Sequence, residues 1–378
     1  MSSADSPSTR LATRLSFLVA GFGIACWAPM VPYARDRLGV DEAVLGGLLL
    51  CLGTGSVLAM LATGALSSRY GTRPVILAGG IALAVILPFL AIAPTTITLG
   101  LALLVFGAAL GSLDVAMNIH AVDVERDAAR PLMSGFHALF SIGGFTGAAM
   151  MTLLLSLGVG PLASGMIGSL LMMLALILAA PRLLRTRSAD DAPHFAVPRG
   201  IVLLLAGLAA ITFLAEGALL DWSALLITDA GLVAVKHGGL GYMLFAIAMT
   251  LGRLTGDRLT AQIGDRAALF WGGIVAVFGF AVLLLAPMAS VAMAGFVLIG
   301  LGAANIVPVL FRQAANQTIM PPGLAVAAIT TTGYAGILLG PAAIGLVSSY
   351  AGLTLSFWML AGLLCLVPLT AGLAVSRR

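Results

Sequence analysis

The chain has 378 residues, 60% of them hydrophobic and only 9% charged, against about 25% charged in ordinary soluble domains. That excludes a water-soluble body, and apolar runs of about 20 residues recur throughout, the length that crosses roughly 30 Å of hydrocarbon as a helix. The net charge of +4 reads in such a chain as an orientation signal, with no nucleic-acid partner implied. Cys26, Cys51 and Cys365 lack the spacing of a disulfide framework or a metal site.

Residues 1–14 form a polar tail ending in Arg10 and Arg14. The next apolar stretch is longer than a signal-peptide core and contains Pro29 and Pro32 without a small-residue cleavage site, so an uncleaved first helix is expected. Apolar runs between polar or Gly/Pro breaks predict twelve spans, near 15–34, 44–66, 75–93, 97–118, 133–157, 162–181, 201–226, 240–258, 267–286, 290–311, 325–347 and 355–374. With the N-terminus inside, 16 of the 19 Lys and Arg residues fall on or near the cytoplasmic side and only Arg35, Arg37 and Lys236 fall outside. By the positive-inside rule both termini are expected in the cytoplasm of a bacterial-type inner membrane.

The longest cytoplasmic connection, 182–199, holds four arginines, Asp190, Asp191 and two prolines, and reads as a mobile linker. It divides the chain into a tail (1–14), a six-helix bundle (15–181), the linker (182–199) and a second six-helix bundle (200–378). A shift of 191 residues places Phe22 on Phe213, Gly111 on Gly302 and Asp114 on Asn305. Two tandem halves are the economical reading.

Polar residues at helical spacing mark where these helices turn away from lipid. Gly107, Gly111, Asp114 and Asn118 lie along one face of span 4, and Ser134, His137, Ser141 and Gly144 along one face of span 5, with a charged connection between them. An acid at mid-helix costs on the order of 3 kcal/mol to insert, while each Leu, Ile, Val or Phe returns about 0.3–0.6. Span 7 has eleven such residues between Ile201 and Leu220, so Glu216 is tolerated, roughly 23 Å from the inner end. An intramembrane carboxyl faces a cavity, a partner or an ion path, which makes Asp114 and Glu216 proton-coupling candidates.

Each candidate has a second reading. Asp114 also suits an interhelical hydrogen bond or gate, within about two turns of the cytoplasm and near the depth of His137. His137 suits a packed or gating residue as well as a proton relay. Trp27 suits the core as well as a stacking platform for a sugar ring. Asn118, Asp221, Trp222 and Asn305 complete the substrate-cavity candidates. The carboxyls do not recur by symmetry, since Glu216 falls opposite Ala25 and Asp221 opposite Met30, which favours a functional role.

The turns carry a pattern of their own. GALSSRYGTR, with Gly64, Arg69, Gly71 and Arg73, follows span 2, and GRLTGDRLTAQIGDR, with Arg253, Gly256, Asp257 and Arg258, occupies the equivalent turn of the second half. Here the chain resembles the major facilitator superfamily, whose loop between helices 2 and 3 has this Gly, acid and Arg pattern. Ser68 stands where that family has Asp, whereas Asp257 keeps an acid. These turns are expected to act as a conformational latch rather than to touch substrate. Gly143, Gly147, Gly336, Gly340, Pro341 and Gly345 give spans 5 and 11 small residues for close helix packing, with a kink expected at Pro341.

Asp114-x-x-Met117-Asn118, Val124-Glu125, Met133-Ser134-x-x-His137 and Ser141-x-Gly143-Gly144, with Glu216-Gly217 and Asp221-Trp222-Ser223, are similar to the YbjJ-like branch of that superfamily, related to the fucose-permease group. The resemblance implies an all-α membrane protein of twelve transmembrane helices in two pseudo-symmetric bundles. It implies a permease for a sugar-like or other small polar solute, with proton-coupled symport expected; the alternative is a proton-driven exporter of drugs or metabolites. No ATP-binding loop occurs, and His120, His137, His194 and His237 are scattered, so no enzyme, cofactor or metal is expected. The expected partners are solute, protons and the lipid bilayer, and the expected state is a monomer.

Overall fold

In lipid every backbone N–H and C=O must find its partner inside the protein, and helices do this within one segment. The computed structural model describes residues 6–40, 42–185, 197–233 and 240–375. Most of the linker, with Arg187, Asp190, Asp191 and His194, lies outside the described residues, as do Lys236, His237, Arg377 and Arg378.

Twelve helical crossings follow one another. The first is α1 (Pro7–Trp27), a 3-10 turn (Ala28–Met30) and α2 (Val31–Leu38). Then come α3 (Glu42–Tyr70), α4 (Thr72–Ile92), α5 (Thr96–Ala128), α6 (Met133–Ser156) and α7 (Pro161–Ala179). The second half has α8 (Ile201–Asp229), α9 (Leu240–Ile263) and α10 (Asp265–Leu284), the pair α11 (Ala289–Ala303) and α12 (Ile306–Asn316), α13 (Pro322–Ala351), and the pair α14 (Leu353–Leu364) and α15 (Leu366–Ala374). Among the described residues ten of these crossings are long and apolar enough to span a bilayer by themselves; α9 carries Arg253, Asp257 and Arg258, and α13 runs for 30 residues without a charge.

Two helices run further than the hydropathy pattern predicts. Residues 7–14 are helix rather than tail, because the Ser6 side chain accepts the Thr9 N–H and Pro7 fills the first turn. Thr9 and Thr13 are buried there, and Thr13 Oγ1 donates to the Thr9 carbonyl at 2.9 Å. Likewise α5 continues to Ala128, so most of the charged connection is helical, Glu125 is buried, and Ala129 closes the helix with φ +50°.

The chain divides into two compact units, Met1–Ala129 with Leu139–Ala196, and Arg130–Ala138 with Val197–Arg378. In the first, α5 packs against α3, α4 and α1, and α7 against α4 and α1. Glycines set the closest approach: a Cβ on Gly107 would come within 1.9 Å of the Leu52 carbonyl oxygen. The Gly107–Gly111 part of the Gly107–Asn118 face is therefore a seam against α3, as small-residue packing in lipid requires. In the second unit, α8 packs on α13, α12, α14 and α9, while α11 packs on α10 and α9.

Candidate functional site

The second unit contains a part-buried ion pair. Glu216, midway along α8, lies 3.6 Å from Arg253 on α9, with side-chain exposures of 20% and 7% respectively. That separation is ionic contact without hydrogen-bond geometry, and Glu216 Oε1 has no hydrogen-bond partner among the described residues. His137, in the second turn of α6, packs its ring 5.6 Å from Phe311 of α12. Arg253 stands close enough to His137 to act on it electrostatically. A buried pair costs desolvation that Coulomb attraction repays only with good geometry, so this one is weak evidence for stability. Its chemistry suits exchange: a proton or a ligand can separate the partners.

Asp221 does not join this group. It is exposed and sits about 140° around the helix from Glu216. Trp222 packs its ring against Gly345 of α13, and its Nε1 has no partner among the described residues.

Nearer the far end of α9 a second cluster holds the start of α6. The Asp257 carboxylate accepts the Ser134 N–H at 2.9 Å and the Gly135 N–H at 2.8 Å, satisfying two of the donors a helix N-terminus leaves open. Ser134 Oγ donates to Asn305 Oδ1 at 2.8 Å, and Asn305 Nδ2 donates to the Gly252 carbonyl at 3.3 Å. Gly256 makes room, since a Cβ there would meet Asn305 Oδ1 at 1.7 Å. Asn305, expected to line a substrate cavity, is thus committed to the break between α11 and α12. Arg253, Gly256, Asp257 and Arg258, expected in a loop, lie inside α9, and the connection to α10 is the single residue Gly264, at φ +82°. Past these charges Thr260 is buried and its Oγ1 donates to the Gly256 carbonyl at 2.9 Å, within a helix that runs to Ile263.

The equivalent turn of the first unit has the same single-glycine connection with different side-chain contacts. Gly64 and Arg69 are in α3, Arg73 is in α4, and Gly71 alone, at φ +85°, joins them. Ser68 Oγ donates back to the Gly64 carbonyl at 3.1 Å, and Arg73 Nε donates to the Ala180 carbonyl at 3.0 Å. Asp114 and Asn118 are buried on α5. Asn118 Nδ2 donates to the Asp114 carbonyl at 2.9 Å, and its Oδ1 has no partner among the described residues. Trp27 is buried at the end of α1, its Nε1 likewise without a partner among the described residues.

A scan for families finds the Major Facilitator Superfamily over residues 15–322. The chain belongs to that superfamily. An uncharacterized MFS-type transporter of Yersinia pestis is 48% identical, over 98% of this chain and 96% of that protein. Membrane protein MosC of Rhizobium meliloti is 30% identical, over 91% and 85%. Among solved structures, the E. coli fucose:proton symporter matches with TM-score 0.79 at 14% identity, covering 99% of this chain and 100% of that one. A human organic anion transporter matches with TM-score 0.76 at 18% identity, covering 97% and 100%. The chain is therefore a multi-pass integral membrane protein with the Major Facilitator fold, in a family of transporters.

Within that fold three polar residues do structural work that hydropathy alone conceals. His120 of α5 ties the first unit together: Leu184 N–H donates to Nε2 at 3.0 Å, which leaves Nδ1–H to donate to Thr13 Oγ1 at 3.2 Å. Arg37 of α2 donates to the last carbonyls of α4, those of Leu90 at 2.9 Å, Ala93 at 3.2 Å and Ala91. Asp265, in the first turn of α10, pairs with Arg312 and accepts Gln313 Nε2 at 2.6 Å from α12. Of these, only Asp265 at a helix start carried a sequence signal; the partners of His120 and Arg37 come from remote segments.

Proposed function

We propose that this Major Facilitator protein is a secondary active transporter of the inner membrane, with both termini in the cytoplasm. It moves a sugar-like or other small polar solute by alternating access, with protons as the coupling ion. The observation that carries the reading is the Glu216–Arg253 pair, an acid and a base 3.6 Å apart on two membrane helices, Arg253 buried and Glu216 part-buried. Intramembrane ionisable groups of this kind mark ion and substrate paths. Protonating Glu216 cancels one of the two charges and releases Arg253 toward a new polar partner, so proton and solute binding become linked. Asp114, buried in the first unit, is the second acid and governs proton exchange. Asp257 on the α6 N-terminus supports the latch role expected of these turns.

The test is uptake into liposomes. Thermal-shift screening against sugars, sugar acids and amino acids first identifies a solute, because ligand binding stabilises the folded form in proportion to the logarithm of concentration over affinity. A proton gradient then drives wild-type uptake. The combined Glu216→Gln and Asp114→Asn variant loses gradient-driven accumulation while keeping solute exchange; undiminished accumulation by that variant sinks the coupling assignment.

A further inference from the structure

The first unit carries an open groove of about 410 Å³ at the turn between α3 and α4, where the segment after α7 crosses it. Arg73, Arg185 and Tyr70 line it together with the apolar Pro74, Leu77 and Leu184, and none of its lining residues is acidic. Arg73 is held in place by its Nε bond to the Ala180 carbonyl, and Arg185 is exposed. A third guanidinium, that of Arg69, stands 5.2 Å over the Tyr70 ring. Arg182, by contrast, turns back onto the Leu178 carbonyl.

What distinguishes a lipid from a soluble anion is the surface leading out of the groove. From Pro74 a row of exposed residues climbs α4 at helical spacing through Ala78, Ile81, Val85 and Phe89, about 22 Å of apolar stripe. A free phosphate has no use for such a stripe, whereas an acyl chain fits it. Basic pockets between helices at a membrane boundary suit phospholipid headgroups.

We propose that this groove binds an anionic phospholipid, its phosphodiester between Arg73 and Arg185 and one acyl chain along the α4 stripe. The inference is independent of the transported solute. Native mass spectrometry of the full chain, titrated with phosphatidylglycerol and with phosphatidylcholine of the same acyl chains, tests it. The anionic lipid binds more tightly, and each arginine accounts for on the order of fivefold. Arg185→Gln, at an exposed position, removes about one such factor, and adding Arg73→Gln removes the remaining preference. Arg35→Gln, at an exposed site on α2, changes nothing. Equal binding of the two lipids overturns the proposal, as does a preference that survives both substitutions. Competition by glycerol phosphate as strong as by intact lipid overturns it in favour of a soluble anion.

Discussion

Replacing Asp257 by Ala removes both acceptors from the start of α6. The two bonds, 2.9 and 2.8 Å, are charge-assisted and part-buried. Bonds to charged groups contribute about 1.5–3 kcal/mol each when well buried, and helix caps about 0.5–2. Taking the lower end for a part-buried acid, the loss is about 2–3 kcal/mol. Asp257→Asn keeps one neutral acceptor and is expected to lose about half of that. Thermal unfolding of the purified protein in detergent therefore ranks wild type above Asp257→Asn, and Asp257→Asn above Asp257→Ala. Arg258→Gln, at the exposed neighbouring position, matches wild type. If Asp257→Ala unfolds with wild type, or if Arg258→Gln falls as far as it does, the capping argument is wrong.

Three further outcomes are expected. Glu216→Gln and Arg253→Gln each leave a charge in the second unit without its partner at 3.6 Å; the double variant is more stable than the sum of the singles by roughly 1–3 kcal/mol, measured as a double-mutant cycle. His120→Ala cuts the bonds to Thr13 and Leu184 and costs about 2–3 kcal/mol, read from thermal unfolding, whereas Thr13→Val removes only one of them and costs less. Gly107→Ala puts a Cβ against a backbone carbonyl that cannot swing aside, so overpacking costs about 1–3 kcal/mol and folded yield drops, while Gly207→Ala, with open space around it, is neutral.

Much of the fold was legible because lipid imposes a simple rule: a helix long and apolar enough to cross must cross. That rule located the twelve crossings and the small-residue seams, and Gly143 and Gly147 do press on the Leu18 and Phe22 carbonyls of α1, as Gly336 presses on Ala210 of α8. Helix ends were less legible. Hydropathy falls where water begins, but Thr9, Thr13, His120 and Glu125 are buried by neighbouring segments, so α1 and α5 run on into polar sequence. Asp257 was read as part of a loop for the same reason.

By itself, then, the sequence determined the class, the tandem six-helix plan and the rare ionisable residues that apolar helices can carry. Which of those residues meet was decided only by tertiary structure. Glu216 and Arg253 are 37 positions apart, and nothing in either segment names the other. Asn305 stands at the break after α11, where its partners are Ser134 and the Gly252 carbonyl, and neither is legible from its own segment. Period and hydropathy are properties of one segment, whereas partnership depends on which helix faces are pressed together, and that is settled by packing across the whole bundle.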